Sequence, residues 1–180
     1  MLQKPSHIRI LVAHDRFRGI GKNGTIPWKI SEDLRRFRHL TKGNIVVMGR
    51  ATYESIPEKY RPLPDRFNIV MTTRMPIPSI PSIPSIPNLF YCNSMDSVKE
   101  QIEEICNTHG RKDVDIIGGS DIYRMWIPEV DILEITEVDG LYECDRIFPD
   151  YSNEFECVWS SPWMAEGYRF TRWLRIGRSL

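Results

Sequence analysis

Asp33 is the residue whose neighbours first suggest chemistry. It shares a helical stripe with Leu34, Phe37, Leu40 and Thr41, at i, i+1, i+4, i+7 and i+8, while Glu32, Arg35, Arg36 and Arg38 are expected to face mostly away. Two readings of such an acid compete. In the first turn of a helix it complements the dipole, as Glu32 does beside it. Against an apolar wall it is also a carboxylate of raised pKa, suited to a cationic or amide-like heterocycle.

Three strand ends carry groups that suit phosphate. In Val114–Gly119 a short apolar run leads straight into two glycines and then a helix, so a phosphate can approach the backbone there. The G-x-G-x-x-G fingerprint is absent, and an ordinary tight turn is the plain alternative. Val46–Thr52 ends a second apolar run on Gly49, Arg50, Ala51 and Thr52, and a third run ends on Thr72-Thr73-Arg74. Hydroxyls with a guanidinium suit a phosphate monoester, and any one of these alone reads as a solvated strand end. Three at the carboxyl ends of parallel strands say more, because open α/β sheets bind ligands there. Arg66, after Arg61-Pro62-Leu63-Pro64, could hold a carboxylate bidentately.

These residues need a scaffold, and the pattern supplies one. Ile8–Ala13, Asn44–Met48, Asn68–Thr73, Val114–Ile117 and Asp131–Val138 read as strands, with Cys157–Ser160 and Tyr168–Ile176 closing the chain. Helices are predicted over about Glu32–Thr41, capped by Ser31, over Thr52–Ile56, over Ser94–Asn107, and over Asp121–Ile127, stopped by Pro128. In the third helix Val98, Ile102, Ile105 and Cys106 share one side. Asp15–Trp28 is punctuated by Gly19, Gly21, Gly24 and Pro27, lacks a period, and is long enough to read as a lid. Pro76–Pro87 repeats Pro-Ser-Ile with the period of polyproline II, which reads as a semi-rigid connection rather than a partner-binding tract. Strands alternate with helices early and stand alone late. The fold class is therefore α/β, with a sheet that is parallel first and antiparallel at its C-terminal edge.

Composition narrows the function. The 180 residues suit one domain, and 24 basic against 24 acidic residues argue against a broad nucleic-acid or membrane-surface footprint. Four cysteines without a C-x-x-C pair and four histidines make a metal site or disulfide framework unexpected. The apolar run after the polar first residues is too short for a signal peptide or a span, which leads to the expectation of a soluble cytoplasmic protein.

Taken together, the blocks resemble dihydrofolate reductase. They are Ile20-Gly21-x-x-Gly24-x-Ile26-Pro27-Trp28, Asp33-Leu34-x-x-Phe37, Met48-Gly49-Arg50-x-Thr52-Tyr53-Glu54-Ser55-Ile56, Arg61-Pro62-Leu63-Pro64-x-Arg66-x-Asn68, Ile117-Gly118-Gly119-x-x-x-Tyr123, Thr136 and Phe148-Pro149. The resemblance runs from about Ile8 to Tyr151. It implies a three-layer sandwich on a mostly parallel sheet, one domain over residues 1–180, with an adenosine-binding lobe over about 44–111 set in a larger loop lobe. It implies NADPH-dependent reduction of dihydrofolate to tetrahydrofolate, inhibition by antifolates, and a monomer.

The resemblance also assigns residues. The pterin would bond Asp33, supported by Thr136, within walls of Leu11, Val12, Leu34, Phe37, Ile56, Leu63 and Ile117, and Arg66 would hold the glutamate α-carboxylate. NADPH would lie along Ala13, Ile20, Gly49, Arg50, Ala51, Thr52 and Met71, along Thr72, Thr73 and Arg74 at its 2′-phosphate, and along Gly118, Gly119, Ser120, Asp121, Ile122 and Tyr123. Asp33, Trp28, Thr136 and Tyr123 would carry the catalytic roles, with Arg16–Trp28 as lid and Trp28 ordering a water near Asp33. The chain departs from the family pattern in the charged run His14–Arg18, in Thr73 standing before Arg74, and in Ser120 replacing a third glycine. The rival readings are a pyrimidine reductase of riboflavin synthesis and a non-catalytic nucleotide-binding module.

Overall fold

Eight strands form the central sheet in the order β5-β4-β3-β6-β1-β7-β10-β9 among the residues described by the computed structural model, 4–73 and 86–177. Here β1 is Ile8–His14, β3 Ile45–Gly49, β4 Phe67–Met71, β5 Leu89–Cys92, β6 Val114–Gly118, β7 Ile132–Val138, β9 Phe155–Ser160 and β10 Tyr168–Arg175. The first six in that order are mutually parallel, and β10 and β9 add on antiparallel. The sheet is thus parallel first with an antiparallel edge, as expected. The inner strands read as continuous apolar runs because both faces are covered, and Val46, Val47 and Met48 are each 0% exposed.

Helices α3 (Met95–His109) and α4 (Ser120–Trp126) cover one face, and α1 (Ser31–Thr41) and α2 (Arg50–Ser55) serve the other. In α3, Val98, Ile102, Ile105 and Cys106 are buried, the four positions that helical spacing selected. Its start is fixed by Ser94, which accepts from Ser97 N while the Ser97 hydroxyl accepts from Ser94 N.

Several local expectations change. Ser31 does not cap α1; the cap position is Ile30, and Ser31 is the first helical residue. The first turn relies instead on the charges of Glu32 and Asp33. Pro128 does not stop the helix outright, since it sits inside a 3₁₀ turn, Ile127–Glu129, that extends it. There a proline's missing N–H leaves no bond unmade. The Asp15–Trp28 segment is not wholly without regular structure: β2 (Gly19–Gly21) pairs with β8 (Arg146–Ile147). Strand β5 has no counterpart in the sequence reading. Arg36 faces the sheet rather than solvent. Arg74 and most of the Pro-Ser-Ile tract lie outside the described residues.

The loop after β1 is held by one side chain. Asp15, 1% exposed, accepts from the amides of Phe17 (2.9 Å), Gly19 (2.8 Å) and Tyr142 (3.1 Å). A Cβ on Gly19 would stand 2.6 Å from the Cys144 Cβ, so no other residue fits there.

Leu133 on β7 is fully buried at the sheet centre, flanked by Ile10 and Trp173 in register. Leu133→Ala is expected to lower the unfolding free energy by about 3 kcal/mol through lost burial and the cavity left behind, measured by urea denaturation.

Candidate active site

The carboxyl ends of five adjacent parallel strands meet at one cleft of about 1080 Å³. Val12 and Ala13 come from β1, Gly49 from β3, Met71 from β4, Asn93 follows β5, and Gly118 ends β6. This is where an open α/β sheet presents loops and helix starts to a ligand. Ala13, Ile20, Gly49, Arg50, Ala51, Thr52, Met71, Thr72 and Thr73 all line it, as do Gly118, Gly119, Ser120, Asp121, Ile122 and Tyr123. The geometry therefore brings together every residue assigned to the cofactor except Arg74, which is not described.

Polar groups on this wall already have internal partners. Arg50 Nε donates to Glu54 Oε1 at 2.6 Å, so an anion here would compete with Glu54 for that guanidinium. Asp121 pairs with Arg124 at 3.1 Å, and both are well exposed. Gly118 has φ +122°, and a Cβ there would meet the Tyr123 hydroxyl at 3.3 Å. The bare backbone lets Tyr123 cross the end of β6 and donate to Leu11 O at 2.8 Å.

Asp33 stands beside this cleft. Its Oδ1 accepts from the Thr136 hydroxyl at 2.5 Å, and Thr136 is the register neighbour of Ala13 on the cleft wall. Burial pushes the Asp33 carboxyl above its ordinary value of 3.8, while the Thr136 bond and the Arg36 charge pull the other way. Burial and the charge of Asp33 push the Tyr123 phenol up as well. The acid on the apolar stripe of α1 is thus one whose environment resists ionisation.

The remaining assigned residues group less tightly. Val12 and Ile117 line the cleft, and Ile56, Leu63 and Ile117 pack on one small apolar cluster with Val46, Met48 and Val70. Leu11 is buried, Leu34 is half exposed on α1, and Phe37 lies between these extremes. Arg66 is 7% exposed, with its guanidinium 5.9 Å from the Phe37 ring centre. Nε donates to Thr41 (2.7 Å), Nη1 to Pro64 O and Nη2 to Arg38 O (3.3 Å). Of a guanidinium's five N–H groups, two remain for a ligand. The indole N–H of Trp28 is buried without a hydrogen-bond partner, and its ring meets Tyr142 edge-on at 5.1 Å.

Sequence reasoning missed several cleft residues: Asn93 and Ser94 behind the unexpected β5, Glu54 and Ser55 on α2, Thr25 in the lid segment, and Arg146 on β8. Glu54 and Ser55 sit one turn past Arg50 and Thr52 and were findable from helical spacing. Arg146 depends on the β2–β8 pairing, which no local pattern announces.

A family model described as dihydrofolate reductase matches residues 7–172. A bifunctional dihydrofolate reductase-thymidylate synthase 2 from Arabidopsis thaliana is 36% identical over 183 residues, covering 95% of this chain and 32% of the relative. The chain thus spans about a third of the length of the bifunctional plant relatives it matches. A dihydrofolate reductase from Heliothis virescens is 34% identical over 159 residues, covering 76% of this chain and 75% of that one. A solved dihydrofolate reductase from Enterococcus faecalis, complexed with NADP(H) and RAB-propyl, superposes with a TM-score of 0.76 at 27% identity, over 94% of this chain and 96% of that chain. The order of strands, the Asp33–Thr136 contact and the family match over nearly the whole chain agree: this chain belongs to the dihydrofolate reductase family.

Proposed function

We propose that the chain reduces 7,8-dihydrofolate to 5,6,7,8-tetrahydrofolate with NADPH. The observation that carries the reading is the half-buried Asp33 carboxyl, tied to Thr136 beside a cleft large enough for a dinucleotide. The fit to a dinucleotide rests on the cleft's floor. A Cβ on Gly49 would crowd Ile122 at 3.1 Å, and Gly119 presents bare backbone to the cleft beside the Thr52 hydroxyl. The family match and the NADP(H) complex of the Enterococcus faecalis relative support the same cofactor. When bound, NADPH supplies the hydride.

The chain's own residues do the rest. Asp33 accepts the amino edge of the pterin in a bidentate contact, with Thr136 holding one oxygen in place. Leu11, Val12, Leu34, Phe37, Ile56, Leu63 and Ile117 exclude water from the rings, and the two remaining N–H groups of Arg66 take the glutamate α-carboxylate. Gly118, Gly119, Arg50 and Thr52 meet the pyrophosphate, and Thr72, Thr73 and Arg74 the 2′-phosphate. The segment Arg16–Trp28 closes over the site, anchored at its base by Asp15. The Trp28 N–H orients a water that relays a proton from solvent to the imine nitrogen, being reprotonated as it gives one up, while Asp33 sets the local potential. The substrate is a small molecule, and the reading places the enzyme in the cytoplasm as a monomer. A reductase of another heterocycle would leave Asp33, Phe37 and Arg66 without a shared purpose.

NADPH oxidation followed by absorbance in the presence of dihydrofolate tests this. Rapid turnover is expected, falling about 100-fold or more in Asp33→Asn. NADPH binding without turnover in the wild type would overturn the reading.

The same substitution is expected to stabilise the fold. A carboxyl whose folded pKa lies above its unfolded value binds its proton more tightly when folded. Stability is then full below the unfolded pKa near 3.8 and is lost as pH rises toward the folded value. Asp33→Asn removes that loss. Its melting temperature should exceed the wild type's at pH 7, by about 2–4 °C for each kcal/mol recovered. The gain should shrink as the pH is lowered toward 4, and thermal melts at several pH values measure it.

A further inference from the structure

The sheet face beneath α1 carries an unusual density of charge. β1 places Arg9 there, β6 Asp115, β7 Glu134 and β10 Arg172, and α1 turns Arg36 inward onto them. Glu134 is 1% exposed. One of its oxygens accepts from Arg36 Nη2 at 2.5 Å, and the other accepts from Arg172 at 2.6 Å. The Arg36 guanidinium also lies 4.9 Å from the centre of the Phe170 ring. Phe170 is the register partner of Thr136, the hydroxyl that bonds Asp33. Arg36 stands three residues after Asp33, on the same side of α1. Glu134 stands two residues before Thr136, on the same face of β7. The ion triad centred on the buried Glu134, with Arg172 half exposed at its outer edge, and the catalytic carboxyl are therefore neighbours on both elements.

We propose that Arg36 is a positioning residue for the reduction: held by Glu134 and Phe170, its charge sets how far Asp33 stays ionised, and Glu134 sets how much of that charge Asp33 feels. This rests on the reductase reading of the site.

The groups around Asp33 come from four elements. β7 contributes the Thr136 hydroxyl, α4 the Tyr123 phenol and β10 the Tyr168 phenol. On α1, Glu32 is paired to Arg35, and Arg36 carries its positive charge three residues on from Asp33, turned inward toward Glu134. Arg9 also feels Glu134, but it is bonded to Asp115 and paired with Asp113. A cation beside a carboxyl favours the ionised form. Removing Arg36 therefore raises the Asp33 proton affinity. Neutralising Glu134 leaves the Arg36 charge uncompensated and lowers it. Simple damage to packing would not give shifts of opposite sign.

The test is the pH profile of kcat/KM in wild type, Arg36→Gln, Arg36→Lys and Glu134→Gln, with Asp33 titrated in parallel by NMR of ¹³C-labelled aspartate in the unliganded protein. The apparent pKa is expected to rise by about 0.5–1 unit in Arg36→Gln and to fall in Glu134→Gln. It should stay near the wild-type value in Arg36→Lys. Coincident Asp33 titrations, or shifts of one sign in Arg36→Gln and Glu134→Gln, would overturn the proposal. Should Arg36→Gln fail to fold, Arg36→Lys and Glu134→Gln still decide it. A wild type that titrates as expected yet does not reduce dihydrofolate would overturn the reductase reading alone.

Discussion

One contact constrains the rest of the molecule: a carboxyl on the first turn of α1 bonded to a hydroxyl on the central strand β7. To make it, the helix must lie across the sheet with its N-terminal turn over the carboxyl end of β1 and β7. That places Asp33 beside the cleft and half buried. Burial of an acid is unfavourable unless its oxygens find donors. Thr136 satisfies one oxygen, and the other is left to be satisfied from the site. A carboxyl so placed lowers stability at neutral pH, the cost that sites kept for ligands commonly carry.

Docking α1 there has a consequence for the layer between helix and sheet. The opposite face, under α3 and α4, is an apolar core in the ordinary sense, with Ile116, Leu133 and Ile135 at 0% exposure. The face under α1 is built from ion pairs, Arg9 with Asp115 and Arg36 with Glu134 and Arg172, closed by hydrogen bonds to Leu40 O and from Asn44. The inner pairs, Arg9 with Asp115 and Arg36 with Glu134, add little net stability, but each is costly to break singly, while the half-exposed Arg172 contributes less. They therefore fix orientation more than they add free energy, and a helix that must aim one carboxyl gains from that. The charge left over after Glu134 is shared between two guanidiniums is positive, on the side of the helix that carries Asp33.

What the sequence made legible follows from how local each signal is. The buried side of α3, the parallel-then-antiparallel order of strands, and the acid on the α1 stripe all follow from spacing within one element. Ser31 looked like a cap because its type favours one, but the chain enters α1 through Ile30 in an extended conformation, and the charges of Glu32 and Asp33 take over. Strand β5 is four residues behind a proline tract and gains its identity from pairing with β4. No period of its own reveals it. Arg36 was misplaced because an arginine on an amphipathic helix is normally solvated. Only Glu134, 98 residues away in sequence, explains why it turns inward. Where a residue's role is set by a partner on a distant strand, composition and periodicity carry no trace of it.

The cleft itself shows the same division between local and distant causes. Its floor is local: Gly49 and Gly118–Gly119 each end a strand, and their missing side chains leave the backbone open. Its rim is not. The segment after β1 is drawn down by the Asp15 carboxylate, which gathers the amides of Phe17 and Gly19 from its own turn and that of Tyr142 from the connection between β7 and β8. Tyr142 then meets the ring of Trp28 edge-on. One buried acid thus ties the β7–β8 connection to the strand that lines the site, while Ile26, at 61% exposure, faces the cleft. The segment is held at its base by Asp15 and further along by Asn23 N–H on Asp145 and Lys22 on Glu143, so its cleft-facing side chains are presented from a connection that hangs on the β7–β8 loop rather than on the sheet itself.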